Sequence, residues 1–255
     1  MARLELIAPE GVDRIQAGDD LAAMLVASCA ATGLTLRNGD VVVVAQKIVS
    51  KAEGRFVVID EVEPSPQARE LAKRCLKDPR YMELVLRESR EVLRAVPNVL
   101  IVEDRRGLTL ANAGVDQSNV EQDEWGRERA LLLPIDPDAS AAHLRARLRE
   151  LAGVDVGVIV NDSLGRAWRM GTVGVAIGLA GLPGLQDLRG QADRVGRTLQ
   201  STEVGMADEL AAAASALMGQ AAEGRPIVII RGVPWPRRDG NSAELLRPRD
   251  MDLFR

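Results

Sequence analysis

Residues 156–178 read VGVIVNDSLGRAWRMGTVGVAIG. An apolar run of strand length stops at an amide, a carboxylate and a hydroxyl. Two arginines and a tryptophan follow, then a glycine-laced apolar stretch. A short, continuous run of β-branched residues reads as a strand buried inside a sheet. The same shape recurs in DVVVVAQKIVSK (40–51), a buried strand running into a polar turn, and in RPIVIIRG (225–232), a last strong strand. Shorter strands are expected in RLELIA, RFVVID, NVLIVED and ALLLPI.

Helical stretches lie between these strands. GDDLAAMLVASCAATG opens on acidic residues and closes at Gly33, and DASAAHLRARLRELAG is capped and amphipathic. STEVGMADELAAAASALMG places Ala207, Leu210, Ala211, Ala214, Leu217 and Met218 on one face, with Ser201 or Thr202 to cap it and Gly219 to end it. Residues 67 to about 96 read as helical with a break at KDPR, whereas 105–119 and 182–197 read as irregular. Strands and helices mix without strict alternation. The expected class is therefore α/β of the mixed, α+β kind rather than a doubly wound parallel sheet. No linker or internal repeat divides the chain.

Composition removes several function classes. A chain of 255 residues buries roughly 70–75% of its unfolded surface and needs no disulfide or metal to fold. Its 33 basic against 37 acidic residues give net −4, which argues against a free-standing nucleic-acid binder. Cys29 and Cys75 have no Cys or His neighbours, so a paired-cysteine zinc or redox site is excluded. The opening MARLELIAPEG lacks the apolar core of a signal peptide, and GTVGVAIGLAGLPGL is too short and glycine-rich to span a bilayer. The expectation is a soluble cytoplasmic protein with neither nucleic acid nor membrane as partner.

Familiar catalytic signatures are missing: no GxxxxGK[ST], no GxGxxG after a strand, no GxSxG and no HExxH. His143, the one histidine, sits in an amphipathic helix and reads as structural, which leaves no Ser-His or Cys-His triad. What remains are carboxylates and hydroxyls at loop positions just beyond apolar strands: Asp116, Ser118 and Asn119 in ANAGVDQSN, Asp162 and Ser163 in VNDSLGR. Magnesium and manganese take such hard oxygen ligands. Arg166 and Arg169 could then face an anionic substrate. The chain has 29 arginines and only four lysines, yet Lys47 and Lys51 both fall in QKIVSK. Either this is chance or one compact ammonium touches a phosphate. Taken together, these residues point to metal-assisted chemistry on a phosphate-bearing substrate. A helix cap or turn remains the plainer reading of Asp162-Ser163 alone.

GDDL, VSKAEGR, NAGVDQSN, NDSLGRAWR, TEVGMADELAAAA, RPIVIIRG and the closing LLRPRDMDLF resemble, in order, the coenzyme F420-0:L-glutamate ligase family. The resemblance implies an unusual α/β fold forming an intertwined homodimer. It also implies GTP-driven addition of L-glutamate to the lactyl carboxylate of coenzyme F420-0, followed by γ-linked glutamates. The chain ends where some members begin a nitroreductase-like domain, so the expectation is one ligase region over residues 1–255, with room for two closely packed subdomains. The cofactors implied are Mg2+ or Mn2+, with K+ as an optional addition, and GTP as co-substrate.

By motif, Asp116, Asp162, Ser163 and Gln220 resemble divalent-metal ligands, with Asp116, Asp162 and Lys51 carrying the chemistry. Val12, Asp13, Arg14, Ile15, Gln46, Lys51, Asn119 and the turn Met218, Gly219, Gln220, Ala221, Ala222, Glu223, Gly224 and Arg225 align with nucleotide contacts. Ser163 stands where the family usually has Thr and keeps the hydroxyl. Gln46 replaces a Ser or Thr, and LQDLRGQADRVGRTLQ follows the family's RDxxGRxL only loosely. A metal-dependent phosphohydrolase and a non-catalytic nucleotide-binding module are the rival readings.

Overall fold

The computed structural model describes residues 2–12, 14–118, 120–236 and 238–252. In chain order the elements are β1 (Glu5–Ile7), α1 (Leu21–Ala31), β2 (Val41–Ala45), α2 (Gln46–Ala52), β3 (Phe56–Val58), α3 (Pro66–Cys75), α4 (Pro79–Arg87), β4 (Ser89–Val96) and β5 (Val99–Asp104). There follow β6 (Thr109–Ala111), β7 (Arg129–Leu131), α5 (Pro137–Ala152), β8 (Gly157–Arg166), β9 (Arg169–Ala180), β10 (Gln186–Asp187), β11 (Glu203–Val204), α6 (Met206–Met218) and β12 (Ile227–Arg231).

The three apolar runs become neighbours in a five-stranded sheet of order β1-β12-β2-β8-β9. β2 and β8 run parallel and the other pairs antiparallel, which makes the protein a mixed α/β fold. Side chains along a strand alternate between faces. Val42, Val44, Val158 and Val160 therefore enter one core with α1 and α5, whereas Val41, Val43 and Ile159 enter another under α6. Covering both faces is what uninterrupted apolar strands require. The helices begin and end on local chemistry. Asp20 accepts from Ala22 N and Ala23 N at 3.0 Å to open α1, and Asp136 accepts from Ala139 N at 3.0 Å to open α5. A further core gathers α3, α4, β4 and β5 around Met82, Leu100 and Val102.

Four expectations are corrected. QKIVSK is not a polar turn but the helix α2, whose Ile48 and Val49 are buried. The helical reading fails after Arg87, because residues 89–96 form β4 against β5. Register shifts at Ser89/Glu91 and Val92/Arg94 break the two-residue period that would have marked a strand. Helix α6 starts at Met206 without a side-chain cap, since Ser201 and Thr202 precede β11. Asp162 and Ser163 are not in a loop: β8 runs on through them and pairs Asp162 with Val175 and Ser163 with Gly174 of β9. Among the described residues no helix is long and apolar enough to cross a membrane.

Candidate active site

Parallel pairing sets Ala45, the last residue of β2, opposite Asn161 of β8. The residues that follow, Gln46 and Asp162, are therefore brought side by side where β2 ends and β8 runs on alone with β9, the carboxyl side of the parallel pair, where open α/β sheets bind ligands. A cleft of about 720 Å³ opens there, walled by α2, by Asp116, Ser118, Val120 and Glu121, by Asn161–Ser163 and by the turn after α6.

Asp116 is held by its backbone. Its N–H donates to Leu131 O at 3.0 Å, and its carbonyl accepts from Leu131 N at 2.8 Å. Tyr81 adds a 2.6 Å hydrogen bond to the carbonyl of Val115. The carboxylate accepts from Ser118 N at 2.7 Å and from Ser118 Oγ at 3.0 Å, and its Oδ2 lies 2.8 Å from Lys47 Nζ. Burial pushes its pKa up, but the bonds from Lys47 and Ser118 outweigh that and hold it below the usual carboxylate range.

Asp162 is tuned the other way. Burial, reinforced by the nearby charge of Asp116, pushes it up to about 6 against the pull of Ser163 N, Lys47 and Gln46. Two carboxylates with separated pKa values in one cleft are a recurrent mark of a working site.

Strand alternation sends Asp162 and Ser163 to opposite faces of β8. Asp162 meets Gln46, Lys47 and Asp116. Ser163 Oγ donates to Gln220 Oε1 at 2.7 Å, and Gln220 Nε2 donates to Ser215 Oγ of α6 at 2.9 Å. The turn holding Gln220 needs glycine at 219. There φ is +77°, and a Cβ would lie 2.1 Å from Glu223 Cδ. Glu223 in turn accepts from Ala221 N at 2.8 Å, which folds the turn over its own backbone.

Of the sequence candidates, Ile15, Gln46, Lys51, Asp116, Asp162, Ser163 and residues 218–225 all line the cleft. Val12 is instead packed in the core and Arg14 is exposed, neither on the cleft wall. Asp13 and Asn119 lie outside the described residues. Gln46 is buried: its Oε1 accepts from Ser50 Oγ at 3.0 Å and the side chain also bonds Asp162, so it props the carboxylate from beneath.

Arg166 and Arg169 do not face the cleft of this chain. They sit exposed at the far end of the β8–β9 hairpin, four residues and about 13 Å along the strand from Asp162. Two residues of the site have no assigned place in it from the sequence. Lys47 is noted there only beside Lys51, as one of two ammoniums of which one would touch a phosphate. It lies four residues before Lys51 on the same face of α2, which a helical reading of QKIVSK brings out. Asn161 is 4% exposed, and its Oδ1 has no partner among the described residues; no sequence pattern signals this.

Among the described residues no group of three or more His, Cys, Asp or Glu side chains could hold a metal. The oxygen donors that Asp116, Asp162, Ser163 and Gln220 bring to the cleft wall are two carboxylates, a hydroxyl and an amide oxygen. This all-oxygen set suits a hard divalent ion completed by water and substrate phosphate.

Comparison with known proteins identifies the family. Residues 11–232 match the family model described as F420-0:Gamma-glutamyl ligase. The coenzyme F420:L-glutamate ligase of Methanothermobacter thermautotrophicus is 46% identical over 254 residues, covering 99% of both chains. That of Methanopyrus kandleri is 47% identical over 95% of this chain and 94% of its own, and that of Archaeoglobus fulgidus 41% over 99% and 97%. The match spans most of the chain, and the chain belongs to the F420-0:gamma-glutamyl ligase family.

Proposed function

We propose that this protein joins L-glutamate to coenzyme F420-0, and then adds γ-linked glutamates, using GTP and an acyl-phosphate intermediate. The observation that carries the reading is the convergence of Asp116, Asp162, Lys47 and Lys51 in one cleft of a chain whose family is settled over residues 11–232.

Lys51 and the backbone N–H groups of residues 218–225 bind the triphosphate without a GxxxxGK[ST] loop. Asp116, Asp162, Ser163 and Gln220 hold Mg2+ or Mn2+, which supplies positive charge against the phosphate oxygens. The acceptor's terminal carboxylate oxygen bonds to the γ-phosphorus as the bond to the bridging oxygen breaks, releasing GDP. The glutamate amine then attacks the activated carbonyl carbon, loses a proton and expels inorganic phosphate. Positioning and electrostatics dominate phosphoryl transfer. This is in keeping with a cleft rich in carboxylates and lysines and with a lone histidine on the exposed side of α5. A homodimer working in the cytoplasm completes the reading.

The test is mass spectrometry of coenzyme F420-0 incubated with L-glutamate, GTP and Mn2+. Mass steps of one glutamyl unit, absent without GTP and absent with Asp162→Asn, support the reading. Phosphate release that ignores glutamate, with no mass step, would replace it with a phosphohydrolase.

A further inference from the structure

Both oxygens of Asp116 are already engaged. Oδ1 accepts from Ser118 N at 2.7 Å, and Oδ2 accepts from Ser118 Oγ at 3.0 Å and meets Lys47 Nζ at 2.8 Å. The ammonium is equally committed: it donates to Ser118 O at 3.0 Å and to Ser118 Oγ at 3.2 Å besides its contact with Asp116. An ammonium has three donors, and three acceptors take them. Asp162 feels the same ammonium and the charge of Asp116 together, so one lysine moderates the repulsion between the two carboxylates. Lys47 is on α2 and Asp116 on the chain leading into β7, so the ion pair also fastens one wall of the cleft to the other.

We propose that Lys47 is a built-in counter-cation. A divalent ion reaches Asp116 Oδ2 by displacing the ammonium, and the released ammonium turns into the cleft to meet the anionic substrate. The exchange rests on the two-carboxylate metal site of the proposed function. It differs from an ordinary nucleotide contact in the sign it predicts. Deleting a residue that only binds nucleotide leaves metal affinity unchanged. Deleting a competitor for the metal's own ligand atom tightens it. Lys51 offers the internal comparison, being a second ammonium on the same wall with no bond to Asp116 among the described residues.

The experiment is titration with Mn2+ alone, without nucleotide, to millimolar concentration, following free Mn2+ by electron paramagnetic resonance. Lys47→Met keeps the length of the side chain and removes its charge. It is expected to bind Mn2+ about tenfold tighter than the unaltered protein, the scale of a partly buried ion pair of about 1.4 kcal/mol. Lys47→Arg retains the competitor and stays within about twofold, and Lys51→Met shifts affinity by less than about threefold, the effect of a screened neighbouring charge. Should Lys47→Met lose its fold, as read by circular dichroism, Lys47→Gln takes its place. If the unaltered protein binds Mn2+ while Lys47→Met binds it no tighter, or no tighter than Lys51→Met does, the exchange is wrong and the metal site stands. If none of these proteins binds Mn2+, the metal site itself falls and the exchange with it.

Discussion

Asp208 shows how one side chain can hold a strand in shape at a cost set by pH. It sits in the first turn of α6, and its Oδ1 accepts from Ala176 N at 2.9 Å, beside the irregularity in β8–β9 pairing that falls between Val160 and Asn161. Burial raises its pKa above the ordinary carboxyl value. An acid whose pKa is higher in the folded protein binds protons more readily there than in the unfolded chain. Its contribution to stability is therefore greatest at low pH and is lost as pH rises through the raised value. Asp208→Asn keeps the acceptor and removes the charge. It is expected to be neutral or stabilising near pH 7.5 and to flatten the fall in stability as pH rises from 3.8 to 7.5. Asp208→Ala strands the Ala176 N–H and should cost about 1–3 kcal/mol at either pH. Urea unfolding of both variants at the two pH values checks the pair.

At the scale of elements, close approach decides how the helices sit on the sheet. Helix α5 begins against Gly178 of β9, where a Cβ would lie 2.3 Å from the backbone carbon of Pro137. No rotamer relieves a clash with backbone, so Gly178→Ala must push α5 away from β9. The expected cost is about 1–3 kcal/mol, the usual range for overpacking. Gly165 of the same sheet offers the control: nothing lies within 4 Å of its Cβ position, so Gly165→Ala should change stability by less than about 1 kcal/mol. Thermal unfolding of the two proteins side by side gives the comparison. The element scale is also where the sequence misleads. Weighed locally, the polar residues of 46–51 suggest a turn and those of 89–96 a helix. In the structure Ile48 and Val49 of one stretch are drawn into the core under β2, and the other is drawn into pairing with β5.

Across the whole molecule, the chain passes from one core to another at Leu132 and Leu133, which belong to different clusters. Arginines fasten this crossing. Arg106 donates to Pro134 O at 2.7 and 2.9 Å, pairs with Asp104 at 2.8 Å and reaches Glu88 at 3.2 Å. Arg55 donates to Leu133 O at 2.9 Å and meets the other oxygen of Glu88 at 3.4 Å. Asp104 is fully buried. Removing its partner leaves a charge inside the protein, so Arg106→Ala should destabilise by about 3 kcal/mol. Arg106→Lys should not restore it, because the planar fork reaches Pro134 O, Asp104 and Glu88 from separate nitrogens spread across the guanidinium, a span that a compact point-like ammonium lacks. Denaturant midpoints of the two variants measure this.

The sequence by itself determined the buried strands of the central sheet and most of the residues that line the cleft. Runs such as VVVV and IVII can be satisfied only inside a covered sheet, and the short motifs locate Asp116, Asp162, Ser163, Gln220 and Lys51 without any coordinates. Only the tertiary structure decided which of these groups meet. Parallel pairing of β2 with β8 set Gln46 beneath Asp162. Helical phase turned Lys47 toward Asp116. The length of β8 carried Arg166 and Arg169 out of reach of the cleft. The direction of a side chain depends on the register its strand or helix takes against its partners, some more than a hundred residues away, and such pairings leave no mark in a local stretch of letters.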